Sequence, residues 1–92
     1  MSDIIICQAN GNSMYPIIKD GDRLTIVKNI KKISIDDIVL FYGTDKKMYV
    51  HRVIKIFFCG GVSFVITKGD NSLYPDTPIK LSHIVGVVVD IV

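Results

Sequence analysis

Met48-Tyr49-Val50-His51-Arg52-Val53-Ile54-Lys55-Ile56-Phe57-Phe58, followed by Cys59-Gly60-Gly61 and then Val62-Ser63-Phe64-Val65-Ile66-Thr67-Lys68, is the stretch that decides the fold. Two runs rich in β-branched and aromatic residues flank a glycine pair that tolerates positive φ, which is the composition of an antiparallel hairpin. Working outward, short apolar runs recur at Ile4–Gln8, Arg23–Lys28, Ile38–Tyr42 and Ile84–Ile91, between clusters of Gly, Asp, Asn and Pro. Helical spacing at i, i+3, i+4 is hard to find anywhere. Lys19-Asp20-Gly21-Asp22 and Gly43-Thr44-Asp45-Lys46 supply further turns, the second closing another hairpin. Pro16, Pro75 and Pro78 lie outside the runs, as residues without a ladder donor should. The expected fold is mainly β: six strands in one small closed or folded-over antiparallel or mixed sheet, a single domain over residues 1–92.

Period two divides the long run. Val50, Arg52, Ile54, Ile56 and Phe58 are expected on one face, and His51, Val53, Lys55 and Phe57 on the other. Ile84-Val85-Gly86-Val87-Val88-Val89 is apolar on both faces, the pattern of a central strand covered on two sides.

Composition narrows the function classes. Hydrophobic residues make up 49% of the 92 and charged residues 22%, with a mean hydropathy of +0.40, which excludes a disordered tail or a low-complexity linker. A formal charge of +2 does not make a phosphate-tracking surface, so no nucleic-acid partner is expected. Lys28, Lys31 and Lys32 read as a solvated loop. Cys7 and Cys59 lack Cys-x-x-Cys spacing and read as ordinary apolar thiols, so no metal and no cofactor is expected. No apolar run approaches the ~20 residues that cross a bilayer, and no secretory leader is recognisable. The expected location is the cytoplasm, with at most peripheral contact with a membrane.

Chemistry concentrates in Gly11-Asn12-Ser13-Met14-Tyr15-Pro16, where a small nucleophile follows two turn formers and precedes a proline. A serine hydroxyl needs a positioned base, and backbone N–H donors for the oxyanion that its attack creates. His51 and His83 are both candidates for the base, and Asp70 and Asp76 for the carboxylate that orients it. Spacing alone does not choose between them. Taken singly, each of these residues is more often turn punctuation than machinery. Gly11, Met14 and Pro16 are expected to border the substrate groove.

Read together, Gly11 to Pro16, Lys19-Asp20-Gly21-Asp22-Arg23-Leu24, Asp37-Ile38-Val39, Val50-His51-Arg52-Val53-Ile54-Lys55 and Thr67-Lys68-Gly69-Asp70-Asn71 resemble, in order and spacing, the signal peptidase I and LexA-like serine peptidase superfamily. The resemblance implies the β fold of that catalytic domain, with Ser13 as nucleophile and His51 as general base, a position that holds Lys in bacterial members. The His-Arg-Val-Ile-Lys form is similar to the archaeal and endoplasmic-reticulum type. That implies Asp76 as third member, with Asp70 as a supporting carboxylate. The expected function is a serine endopeptidase acting on a peptide or precursor bound as an extended strand. The alternative is a non-catalytic peptide-binding domain on the same scaffold. A lysine base, Lys55 or Lys68, would move the working range to more alkaline pH.

Overall fold

The computed structural model describes residues 3–28 and 32–92, so Lys31 of the lysine cluster lies outside the described residues. Every strand pairing is antiparallel. The strands are β1 (Ile4–Gln8), β2 (Arg23–Val27), β3 (Ile38–Tyr42), β4 (Met48–Cys59), β5 (Val62–Lys68), β6 (Ile79–Lys80) and β7 (Ile84–Ile91). They form one curled half-barrel sheet in the order β1-β2-β7-β3-β4-β5-β6. The six expected runs are all strands. The short β6 is not expected from the sequence, because Ile79-Lys80 is too brief to carry a period and forms only by pairing with Phe64 and Val65. A 3₁₀ turn, Leu81–His83, leads into β7.

Turn chemistry sets the hairpins. Gly60 and Gly61 have φ of 58° and 80°, the left-handed pair that a two-residue hairpin requires. Between β3 and β4 it is Lys46, at φ 66°, that takes the left-handed position.

The sheet buries apolar residues on both faces. Met14, Ile18, Leu24, Ile26 and Leu40 form one cluster, and Val39, Phe41, Val53, Val65 and Ile79 the other. β3 therefore contributes to both through alternate residues. β7 does the same: Val85 and Val88 pack against the first cluster, Ile84 and Val87 against the second. Its two-sided cover ends at Val89, which is 58% exposed. At Gly86 an added Cβ would stand 2.6 Å from Val27 O, so only glycine lets β2 approach there.

A bulge in β4 overturns the simple face assignment. Val53 pairs with Thr67 but Lys55 pairs with Ile66, so Ile54 is the extra residue and the alternation reverses beyond it. His51 and Val53 share a face with Thr67 and Val65. Phe57, expected beside them, instead stacks on Phe64 at 5.3 Å on the opposite face.

Candidate active site

The β1–β2 connection carries Ser13. Ala9 N–H donates to Asp22 O at 2.8 Å and Gly21 N–H to Ala9 O at 2.9 Å, which extends the two-strand ladder past its formal end. Gly11, left-handed at φ 84°, then turns the chain, and its N–H is held by Asp20 Oδ1 at 2.7 Å. Met14 and Ile18 plunge into the first core cluster, both 3% exposed. The loop is thereby anchored by two apolar side chains while Ser13 stays at the surface. The Tyr15–Pro16 peptide bond that follows is cis.

Ser13 borders a cleft of about 480 Å³ whose walls include Ile5, Cys7, Gly11, Met14, Leu40 and Val50. Burial pushes the Cys7 thiol pKa up, consistent with an inert apolar wall, and both cysteines are free thiols. Two of the three residues expected to border the groove, Gly11 and Met14, do line this cleft; Pro16 is exposed and is not among its walls.

His51 lies on β4, 8% exposed. Its ring meets Phe41 edge-on and Tyr49 at a tilt, with centroids 5.8 Å away in both cases. Nδ1 contacts Asp76 Oδ2 at 2.6 Å. The same oxygen accepts the Thr67 hydroxyl at 2.7 Å, and Asp76 N–H returns to Thr67 O at 2.8 Å. Tyr49 donates its phenol to Asp45, which pushes the phenol pKa up and the carboxyl pKa down.

Asp70 takes a different partner. Arg52 grips it with two parallel bonds, Nε to Oδ1 at 2.9 Å and Nη2 to Oδ2 at 2.8 Å. That guanidinium, more than the opposing desolvation, holds the Asp70 carboxyl below the ordinary carboxylate range. His51 and Arg52 are adjacent on a strand and so face opposite sides, which is why one takes Asp76 and the other Asp70.

The Gly69–Asn71 turn joins these parts to the serine loop. Asp70 N–H points at Met14 Sδ, 3.3 Å away, Asn71 N–H donates to Ser13 O at 2.8 Å, and the Asn71 amide reaches Asn12 O at 3.1 Å. A Cβ on Gly69 would sit 2.7 Å from Ser13 O and 3.4 Å from His51 Nε2, so both atoms border the space above this one residue. Among the described residues no hydrogen bond joins the Ser13 hydroxyl to the imidazole. His83 stays exposed on the 3₁₀ turn, Lys68 Nζ lies on Gly69 O at 3.3 Å, and Lys55 Nζ lies 5.8 Å above the Phe57 ring.

Three contributors escape a reading of the sequence: Thr67, Gly69 as a close-approach position, and Arg52 as the partner of Asp70. Thr67 carries a usable signal, since a hydroxyl in phase with the core residue Val65 on β5 must find a buried acceptor.

The Peptidase S24-like family matches residues 1–89. The catalytic subunit of the signal peptidase complex from Fusarium vanettenii is 34% identical over 68 residues, covering 71% of this chain and 40% of the relative. The same subunit from Verticillium alfalfae is 31% identical over the same length and coverage. The chain thus spans about 40% of the length of these curated relatives. No solved structure matches significantly. The relatives correct the expected cytoplasmic location: both are named as subunits of a signal peptidase complex, which conflicts with a free cytoplasmic enzyme. Among the described residues no helix is long and apolar enough to cross a membrane.

Proposed function

This chain belongs to the Peptidase S24-like family, and from that premise we propose that it is a serine endopeptidase with Ser13 as nucleophile, His51 as base and Asp76 as the group that holds the imidazole. The observation that carries the reading is the His51 Nδ1 to Asp76 Oδ2 contact at 2.6 Å, with Nε2 left bordering the Gly69 and Ser13 O space. An imidazole that donates Nδ1–H to a carboxylate presents the Nε2 lone pair as the base. Nε2 takes the Ser13 proton as Oγ attacks the scissile carbonyl, and returns it to the leaving amine when the C–N bond breaks. Backbone N–H groups near Ser13 receive the oxyanion. The Ser13 to His51 hydrogen bond forms when substrate closes the site, as catalytic hydrogen bonds commonly tighten only in the Michaelis complex.

The substrate is a peptide bound extended, its main chain adding to a sheet edge and its side chains entering the cleft at Ser13. The relatives' names make a signal segment of a precursor the first candidate, and the resemblance to the signal peptidase superfamily implies alanine-like residues at the first and third positions before the bond. The test is an internally quenched peptide carrying an apolar run followed by Ala-x-Ala. Wild type should cleave it, and Ser13→Ala should lose about six orders of magnitude of rate because the members act as a unit. Equal cleavage by Ser13→Ala refutes the reading. A second reading, a non-catalytic peptide-binding domain, is favoured by the unjoined Ser13 hydroxyl; it predicts that peptide binds wild type and Ser13→Ala alike with no product from either.

A further inference from the structure

Thr67 is 1% exposed, one of two buried polar residues among those described, the other being His51. Burying a hydroxyl in an apolar sheet face costs free energy unless it is bonded, so its partner matters. That partner is Asp76 Oδ2 at 2.7 Å, the oxygen that also meets His51 Nδ1 at 2.6 Å. The backbone closes the same pair from the other side, Asp76 N–H donating to Thr67 O at 2.8 Å. Asp76 sits in the 69–78 connection between β5 and β6, where Leu73 and Tyr74 are 87% and 78% exposed. Its carboxylate is itself 32% exposed, with room for water to pull it away from the ring.

We propose that Thr67 is a positioning residue: its hydroxyl fixes the Asp76 carboxylate rotamer, and through it the orientation and tautomer of His51. This inference rests on the proposed peptidase function for its kinetic consequence, but its structural part concerns the resting protein alone. The backbone bond gives the loop its path and the hydroxyl aims the carboxylate, and a substitution separates the two. Thr67→Val keeps shape, β-branching and the backbone bond while removing only the donor. Thr67→Ser keeps the donor.

Two measurements test it. The His51 Nδ1 proton, shared with Asp76, should give a downfield NMR signal in wild type and in Thr67→Ser, and should broaden in Thr67→Val as the carboxylate rotates and the proton exchanges with water. On the quenched Ala-x-Ala peptide, Thr67→Val should lower kcat about ten- to a hundredfold with KM unchanged, the scale on which misplacing a catalytic group by ~1 Å acts. Thr67→Ser should recover most of that rate. In a His51→Ala background Thr67→Val should change nothing further. A sharp, unshifted Nδ1 signal in Thr67→Val overturns the proposal, as does an equal loss of residual activity in the His51→Ala background, which would make Thr67 a packing residue only. Failure of the peptidase function registers separately, as cleavage by Ser13→Ala or as no product from wild type, and in either case the NMR signal alone decides whether Thr67 aims the carboxylate.

Discussion

The two halves of β4 are one continuous strand with opposite environments. From Tyr49 to Val53 the side chains are held: Val53 is fully buried, His51 meets Asp76, and Arg52 grips Asp70. From Ile54 to Cys59 they face solvent, with Ile54 39%, Ile56 37% and Phe58 71% exposed, except Phe57, which is half-buried against Phe64. Composition does not separate the halves, since the outer one is the more apolar. The bulge at Ile54 and the partners across β5 separate them. A strand becomes a site where polar partners arrive from other parts of the chain, and here Asp70 and Asp76 arrive at the inner half.

The sharpest way to break this contrast is to remove a side chain from each half in turn. His51→Ala should remove about six orders of magnitude of cleavage of the Ala-x-Ala peptide, whereas Lys55→Ala in the outer half should leave the rate within about twofold. The reverse pattern would place the chemistry beyond the bulge.

Gly69→Ala comes next. The added methyl would press on Ser13 O and Ser72 Oγ, each 2.7 Å from the ideal Cβ, so the serine loop must shift. Activity is expected to fall about a hundredfold for a displacement of ~1 Å, with a stability loss of about 1–3 kcal/mol from overpacking. Thermal melts and cleavage rates together would check this, and an unchanged rate would show that the loop is not held through Gly69.

The Arg52–Asp70 pair gives a smaller effect with a defined pH dependence. Because Asp70 is held below its ordinary range in the fold, its contribution is present above the unfolded carboxylate value, about 3.9, and is lost as pH falls through the lower folded value. The pair is partly exposed, so about 1 kcal/mol is expected after solvent screening. Urea midpoints of wild type and Asp70→Asn should differ above about pH 5 and converge in acid. A gap that widens in acid would contradict the assignment. Smallest of all, Phe58→Ser at the hairpin tip should change stability by no more than about 0.5 kcal/mol, read by the same urea titration.

How much is legible in the sequence varies by residue. The strands are, because β-branched runs between turn formers leave few alternatives, and Gly60-Gly61 names its own hairpin. β6 is not, since two residues carry no periodicity. Period two puts Phe57 on the wrong face because a bulge adds one residue without marking the sequence. At the candidate site, Ser13 and His51 stand out by residue type in context. Asp70 and Asp76 stay open by spacing, because a carboxylate's partner depends on which side of β4 each end of the 69–78 connection meets.

Sequence alone determined the β class, the turns and Ser13 and His51 as candidates for acyl-transfer chemistry, because these depend on local propensity and side-chain chemistry. Tertiary structure decided that β3 is covered on both faces, that the cover of β7 ends at Val89, that Asp76 meets His51 while Asp70 meets Arg52, and that Thr67 shares the Asp76 oxygen. Those are contacts between segments far apart in the chain. Their geometry is set by sheet curl, bulge position and the close approach at Gly69, none of which a one-dimensional pattern encodes.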